Sequence, residues 1–474
     1  MSHLDVRVAC AGCQQPVGSD VVLPFRCAQA DAGDDADHLL FRTLPSIPGD
    51  SLWTDAGTFE PFLRYRHRLY SYAVARARGL SDAEFVQLVQ DLDARIVQVD
   101  EATFTRTPLV RLGEVEALLN LGPDGRLFGK VDATSVSGSH KARHLFGIML
   151  TLLVRERLGD TVGRKPLAIA SCGNAALAAA VVARAADWPL QVFVPPDAEA
   201  VVLDRLATLG ASVELCARQP GQAGDPTVLR FREAVVAGAL PFCCQGNENG
   251  LTVEGGETLG YELVEQLHEQ GARLDRLLVQ VGGGALMSAI VQGLEHAVAV
   301  GALPALPRIH AVQTRGCYPL ARAWERAAAA IEAEVDKCGC GEKLPGTTAP
   351  LPQRAAWLHR HFDNSCTDRV LERMRTHRSD FMWPWEEVPH SVAHGILDDE
   401  TYDWRVLVEA MLRTGGWPIV IDDPTIVRAR AFSRDATGVT ISATGAAGLG
   451  GLLALQGGLS AGEHVALILS GRDR

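Results

Sequence analysis

The residue best placed to do chemistry is a lysine at the mouth of a helix, preceded by a run of hydroxyls. It lies in Asp132-Ala-Thr-Ser-Val-Ser-Gly-Ser-His-Lys141-Ala-Arg143. Arg126 to Val131 before it reads as a short buried strand, and Leu145 to Val154 after it as a helix hidden on most faces. Between them, Thr134, Ser135, Ser137, Gly138 and Ser139 suit a loop that offers hydroxyls and backbone N–H groups to a bound group. A lysine here is either an anion ligand or, if desolvated, an amine that attacks a carbonyl. An isolated lysine is ordinarily a solvated one, so the weight comes from three further loops. Ser171-Cys-Gly-Asn174-Ala175 opens an alanine-rich helix after a strand, an anion-friendly arrangement. Val281-Gly-Gly-Gly-Ala-Leu-Met287 lets several backbone N–H groups point at one phosphate. Leu469-Ser470-Gly471 ends the last strand.

These loops need parallel strands to hold them. Strands are expected at Leu167–Ala170, Leu190–Val194 and Ser212–Cys216, and again at Leu277–Val281, Arg308–Gln313, Pro418–Asp422, Val439–Ile441 and Val465–Leu469. Helices alternate with them, including 174–185, 202–209, 228–237, 257–267, 286–298, 319–332, 426–432 and 446–455. Continuous apolar strands between amphipathic helices imply βαβ units covered on both faces. Residues 337–404 are irregular in period and read as an insertion, either a lid or specificity element or an exposed structural excursion. Residues 61–79, rich in arginine and tyrosine, carry no readable chemical signal.

Bulk properties narrow the functional classes. The 474 residues suffice for two or three domains with a large core, and a net charge of −12 argues against nucleic acid as a main partner. No apolar run is long enough to span a bilayer, and no secretory signal is visible at the start, so a cytoplasmic location is expected. Eleven cysteines, an odd number scattered over the chain, do not form a disulfide framework. Cys10-x-x-Cys13 and Cys27 offer three thiols, weak candidates for zinc that lack a fourth ligand nearby. His38 or a distant residue could supply it, with Cys338 and Cys340 a second thiol source, but a turn with free thiols is the favoured reading. A nicotinamide-dinucleotide reading of the glycine loop fails, since Met287 stands at the third glycine position and Gln313 where an acidic ribose ligand belongs.

In this order, Ser-Gly-Ser-His-Lys141, Ser171-x-Gly-Asn174, the glycine loop and the terminal Ser470-Gly471 resemble the pyridoxal-phosphate enzymes of the tryptophan synthase β-subunit fold type, from about Thr107 to Gly471. The resemblance implies an α/β protein with two doubly wound open-sheet domains and the cofactor in the cleft between them. Residues 142–250 would form the smaller domain, 61–141 with 251–474 the larger, and 1–60 an N-terminal extension. It implies that Lys141 forms the Schiff base and moves the substrate proton, that Asn174 bonds the ring hydroxyl, and that Gly282, Gly283, Gly284, Ala285 and Leu286 hold the phosphate with help from His140. Ser470 would face the pyridine nitrogen. Ser171, Gly173 and Ala175 would bind the substrate carboxylate, and Thr444 would flank the ring. Glu257 is a lesser candidate, better read as an acid favoured at a helix N-terminus.

A serine at the ring nitrogen does not hold it protonated, which suits expulsion of a β leaving group. The glycine loop and terminal serine look most like serine/threonine dehydratases, while Cys10-x-x-Cys13 and the long N-terminal region look like threonine synthases. Ser139-His-Lys-Ala142, however, replaces the usual Ser-Phe-Lys-Asp of the latter. The expectation is therefore a lyase acting by α,β-elimination on a small hydroxy- or β-substituted amino acid. A β- or γ-replacement synthase is the alternative and a non-catalytic cofactor-binding subunit a remote one. The family usually forms homodimers.

Overall fold

In a computed structural model, residues 7–18, 20–30, 33–43, 51–53, 57–160, 163–219, 225–339, 346, 349–455 and 458–473 are described. The strands are β1 (Arg7–Cys10), β2 (Leu40–Thr43), β3 (Leu109–Arg111), β4 (Arg126–Val131), β5 (Leu167–Ala170), β6 (Leu190–Val194), β7 (Ser212–Leu215), β8 (Leu240–Pro241), β9 (Arg276–Gln280), β10 (Arg308–Thr314), β11 (Ile419–Ile421) and β12 (His464–Leu469). They form three sheets: β1-β2, the six-stranded β11-β10-β9-β12-β4-β3 and the four-stranded β7-β6-β5-β8. Pairing in the two larger sheets is parallel except for β3, which runs antiparallel on the edge beside β4. This is the expected α/β architecture. β9, β12 and most of β4 are buried, as their unbroken apolar runs require.

Two expectations need correction. Val439–Ile441 does not make a ladder strand; only Ile441 bridges Arg472. The preceding helix runs on to Thr437 and the next begins at Ala443, which leaves too little chain for one. Residues 337–404 are less irregular than their pattern, with helices at Leu351–Arg360 and Ser365–Thr376. Arg354 of the first pairs with Glu325 at 2.6 Å and Arg373 of the second with Asp380 at 2.6 Å, so charge pairing hides an amphipathic period.

The helix carrying Lys141 spans Lys141–Arg157 and crosses helix Thr252–Glu269 at backbone contact. A Cβ on Gly255 would stand 1.8 Å from the Arg143 carbonyl oxygen, and one on Gly147 would stand 2.9 Å from Gly255 N. Only glycine permits this approach, and it fixes where the first turn of the lysine helix lies.

A buried charge network fastens the same crossing to the sheet. Glu262 accepts from Arg143 and from Lys130, each at 2.6 Å, and Arg143 also donates to Asp132 at 3.0 Å. All four side chains are fully buried. Burial alone would raise Glu262, but the Arg143 and Lys130 charges outweigh it and hold the carboxyl below its usual range.

Candidate functional site

Four loops follow the carboxyl ends of β4, β5, β9 and β12, where open α/β sheets bind ligands. β9, β12 and β4 are neighbours in one sheet. The loop after β5 reaches them from the other sheet: Asn174 Nδ2 lies 3.6 Å from where a Cβ on Gly471 would stand. Arg472 N–H donates to the Gly138 carbonyl at 2.7 Å, tying the lysine loop to the end of the last strand.

Lys141 is the first residue of its helix and is half-buried. Two imidazoles follow its backbone. His140 has both ring nitrogens buried without a partner, and burial, reinforced by the Lys141 charge, holds it well below its usual pKa. His144 donates from Nδ1 to the Thr252 carbonyl at 2.7 Å and is pushed down to about 3 by burial and then by Lys141. Both rings are therefore neutral at neutral pH.

Ser470 is buried, and its Oγ accepts from Gln280 Nε2 at 2.6 Å. That bond leaves the serine hydrogen available to donate elsewhere. Gln280 ends β9 and points inward along the sheet; periodicity assigned it to the strand without marking it as polar support for the site.

Gly284 has φ +108°, a conformation that turns the chain into helix Ala285–Ala299. The neighbouring glycines are needed for another reason. Residues 396–403 lie directly on them: a Cβ on Gly282 would meet Asp398 Oδ2 at 2.3 Å, and one on Gly283 would meet Tyr402 at 2.8 Å. Thr401 Oγ1 donates to the Gly282 carbonyl at 2.9 Å and Tyr402 N–H to the Gly283 carbonyl at 2.8 Å. The Asp398 carboxyl is raised by burial, while the Lys141 charge and the Gly283 N–H lower it. Asp403 is fully buried and is pushed up to about 7 by burial and then by the charge of Asp37. Sequence reasoning missed Asp398, Tyr402 and Asp403. The acidic run Asp398-Asp-Glu400 was the available signal, but solvated loops carry such runs as well.

Ser171, Gly173, Asn174 and Ala175 cluster at the N-terminus of helix Asn174–Ala185, where Ser171 Oγ accepts the Gly173 N–H at 3.4 Å. Thr444 lies in the first turn of helix Ala443–Ala454, below Ser470, and its Oγ1 accepts the Gly395 N–H at 3.0 Å. Glu257 is not at a helix N-terminus. Its helix starts five residues earlier, and the carboxylate is buried against Arg42 and Tyr261. Cys10, Cys13 and Cys27 come together, and His38 joins them.

Residues 101–367 match the family described as pyridoxal-phosphate dependent enzymes, and the chain belongs to that family. It is 28% identical over 222 residues to an L-serine dehydratase of Saccharomyces cerevisiae (strain AWRI1631), a match that covers 45% of this chain and 62% of that protein, less than two thirds of its length. It is 22% identical over 370 residues to a serine racemase of Oryza sativa subsp. indica, covering 77% of this chain and 85% of the relative. Among solved structures, the processed form of threonine deaminase isoform 2 from Solanum lycopersicum superposes with TM-score 0.53 at 14% identity over 90% of this chain and 89% of that one, which shows a shared fold.

The residues present suit pyridoxal phosphate. An amine is available for the aldehyde, and the glycine loop opens onto the N-terminus of helix Ala285–Ala299, an arrangement that favours anions. His140 keeps unpartnered buried nitrogens beside the lysine.

Proposed function

We propose that this protein is an amino-acid lyase that eliminates a β substituent from a small hydroxy- or β-substituted amino acid. When bound, the cofactor supplies a conjugated sink for the electrons left at the substrate α-carbon. In this reading Lys141 Nζ holds the cofactor and, once released, takes the α-proton. Its half-buried place at the helix start keeps it near the cleft rather than in bulk water. Gly282, Gly283, Gly284, Ala285 and Leu286 bind the phosphate through backbone N–H groups, and neutral His140 can add a ring N–H. Asn174 orients the ring, with Thr444 on its flank. Ser171, Gly173 and Ala175 bind the substrate carboxylate at a helix N-terminus.

The observation that carries the elimination reading is the Gln280–Ser470 hydrogen bond. With Oγ accepting from Gln280, Ser470 would have its hydrogen free to donate to the ring nitrogen of a bound cofactor, which would then stay an acceptor. An aspartate in that place would keep the nitrogen protonated and favour long-lived carbanion chemistry. The yeast and mouse relatives named as serine dehydratases support the same reading. Residues 142–250, which contain β5 to β8, are proposed as the smaller domain. The family resemblance supports a homodimer, and the cysteine usage a reducing cytoplasm. Among the described residues, no helix is long and apolar enough to cross a membrane.

The test measures keto acid and ammonia release from L-serine, D-serine, L-threonine and 2,3-diaminopropionate, with and without an added nucleophile. Release without a nucleophile is expected. Turnover only with one would establish a replacement synthase instead, and inversion without release a racemase. Lys141→Ala should keep the fold and lose the visible absorption of covalently held cofactor; an unchanged spectrum refutes the lysine assignment.

A further inference from the structure

The lyase chemistry makes no use of the N-terminal thiols. Cys10, Cys13, Cys27 and His38 each present one ligand atom, and these atoms all lie within 4.8 Å of one another. Cys13 Sγ is 3.6 Å from Cys27 Sγ, and Cys10 Sγ is 3.3 Å from His38 Nδ1. A tetrahedral ion with bonds of about 2.3 Å to sulfur and about 2.0 Å to nitrogen requires separations of about 3.8 and 3.5 Å. The cluster is therefore sized for one ion.

Three features of the surrounding chain prepare the ligands. Gln14 at φ 60° closes a tight turn after Cys13 that folds Cys10 and Cys13 toward one side. Backbone N–H groups point at sulfur, from Cys13 to Cys10 at 3.5 Å and from Gln29 to Cys27 at 3.4 Å, an arrangement that favours thiolates. His38 Nε2 lies 2.6 Å from Asp34 Oδ2. With that nitrogen donating to the carboxylate, Nδ1 turns its lone pair toward the thiols, as an oriented metal ligand must. Three soft sulfurs and one imidazole in a closed, mostly buried site select zinc rather than an oxygen-loving cation.

The same segment touches the cover of the glycine loop. Asp37 N–H donates to the Arg375 carbonyl at 2.9 Å, Arg378 N–H to the Asp35 carbonyl at 2.8 Å, and Arg375 reaches the Gly12 carbonyl. The Asp37 carboxylate pairs with Arg405 at 3.3 Å, two residues beyond Asp403. We propose that Cys10, Cys13, Cys27 and His38 hold one structural zinc ion, and that this ion braces residues 375–405 over the glycine loop.

The first experiment measures metal in the purified holoenzyme and replaces it with cobalt. One zinc per chain is expected, and cobalt should give the intense visible bands of a tetrahedral thiolate site. No stoichiometric metal, weak octahedral bands, or a Cys13–Cys27 disulfide found by mass spectrometry of the native protein would overturn the site. Cys13→Ser should lower zinc content at least tenfold; if that variant fails to fold, His38→Cys, which keeps a ligand, should fold and retain zinc. Hydrogen exchange before and after chelation tests the brace. Faster exchange is expected both at 10–43 and at 396–403. Faster exchange confined to 10–43 would refute the brace while leaving the metal in place.

Discussion

Asp403→Asn offers the most direct test of how residues 396–403 sit on the glycine loop. Asp403 is fully buried beside Gly284 and Ser288, with its carboxyl raised from 3.8 to about 7, first by burial and then by Asp37. The folded protein therefore keeps a proton that the unfolded chain releases near pH 4. Between those values the unfolded state binds fewer protons, so stability falls as pH rises. Asp403's contribution is fully present below about pH 4 and is lost as pH climbs through about 7. A shift of about three units at 1.36 kcal/mol each corresponds to about 4 kcal/mol over the whole window, of which about 2 kcal/mol falls between pH 5 and 7. Asparagine keeps the shape without the titration. Urea unfolding of both proteins at pH 5, 6, 7 and 8 should show the difference between them changing by about 2 kcal/mol from pH 5 to 7 in favour of the variant and levelling above that. Other titrating groups, such as Glu60, are common to both proteins and cancel in the difference. A difference that does not vary with pH would refute the buried, protonated Asp403 and with it the packing of this segment on Gly284.

Two further substitutions probe the lysine helix. Gly255→Ala puts a methyl 1.8 Å from the Arg143 carbonyl oxygen, so the two helices must separate; a loss of at least 1–3 kcal/mol is expected by urea unfolding, with weaker cofactor retention. Wild-type stability in that variant would refute the close crossing. Glu262→Gln leaves buried Lys130 and Arg143 without their shared charge and should cost about 3–5 kcal/mol near neutral pH. A change below 1 kcal/mol would show that the network is not buried as described.

Most of the strand–helix alternation was legible because its signals are local. β4, β5 and β6 and helix Asn174–Ala185 fall where the apolar runs and the small polar turns place them. The loops after β4, β5 and β9 were legible for the same reason: strand, short polar turn and helix start are neighbours in sequence. Val439–Ile441 shows where this fails, since a β-branched triplet forms a strand only if a partner edge is offered.

The sequence by itself determined the α/β alternation, the lysine at the head of its helix, the glycine-rich turn and the serine that ends the last strand. Only the tertiary structure decided that His38 completes the set begun by Cys10, Cys13 and Cys27, although 25 residues separate it from Cys13. It alone decided that Glu257 faces Arg42 instead of the cleft, and that Asp398, Tyr402 and Asp403 roof the glycine loop from more than a hundred residues away. Periodicity reports which face of an element is apolar, but not which distant charge will be buried against it. Such pairings are set by the docking of whole elements, where an unpaired buried charge costs more than a chain of marginal stability can bear.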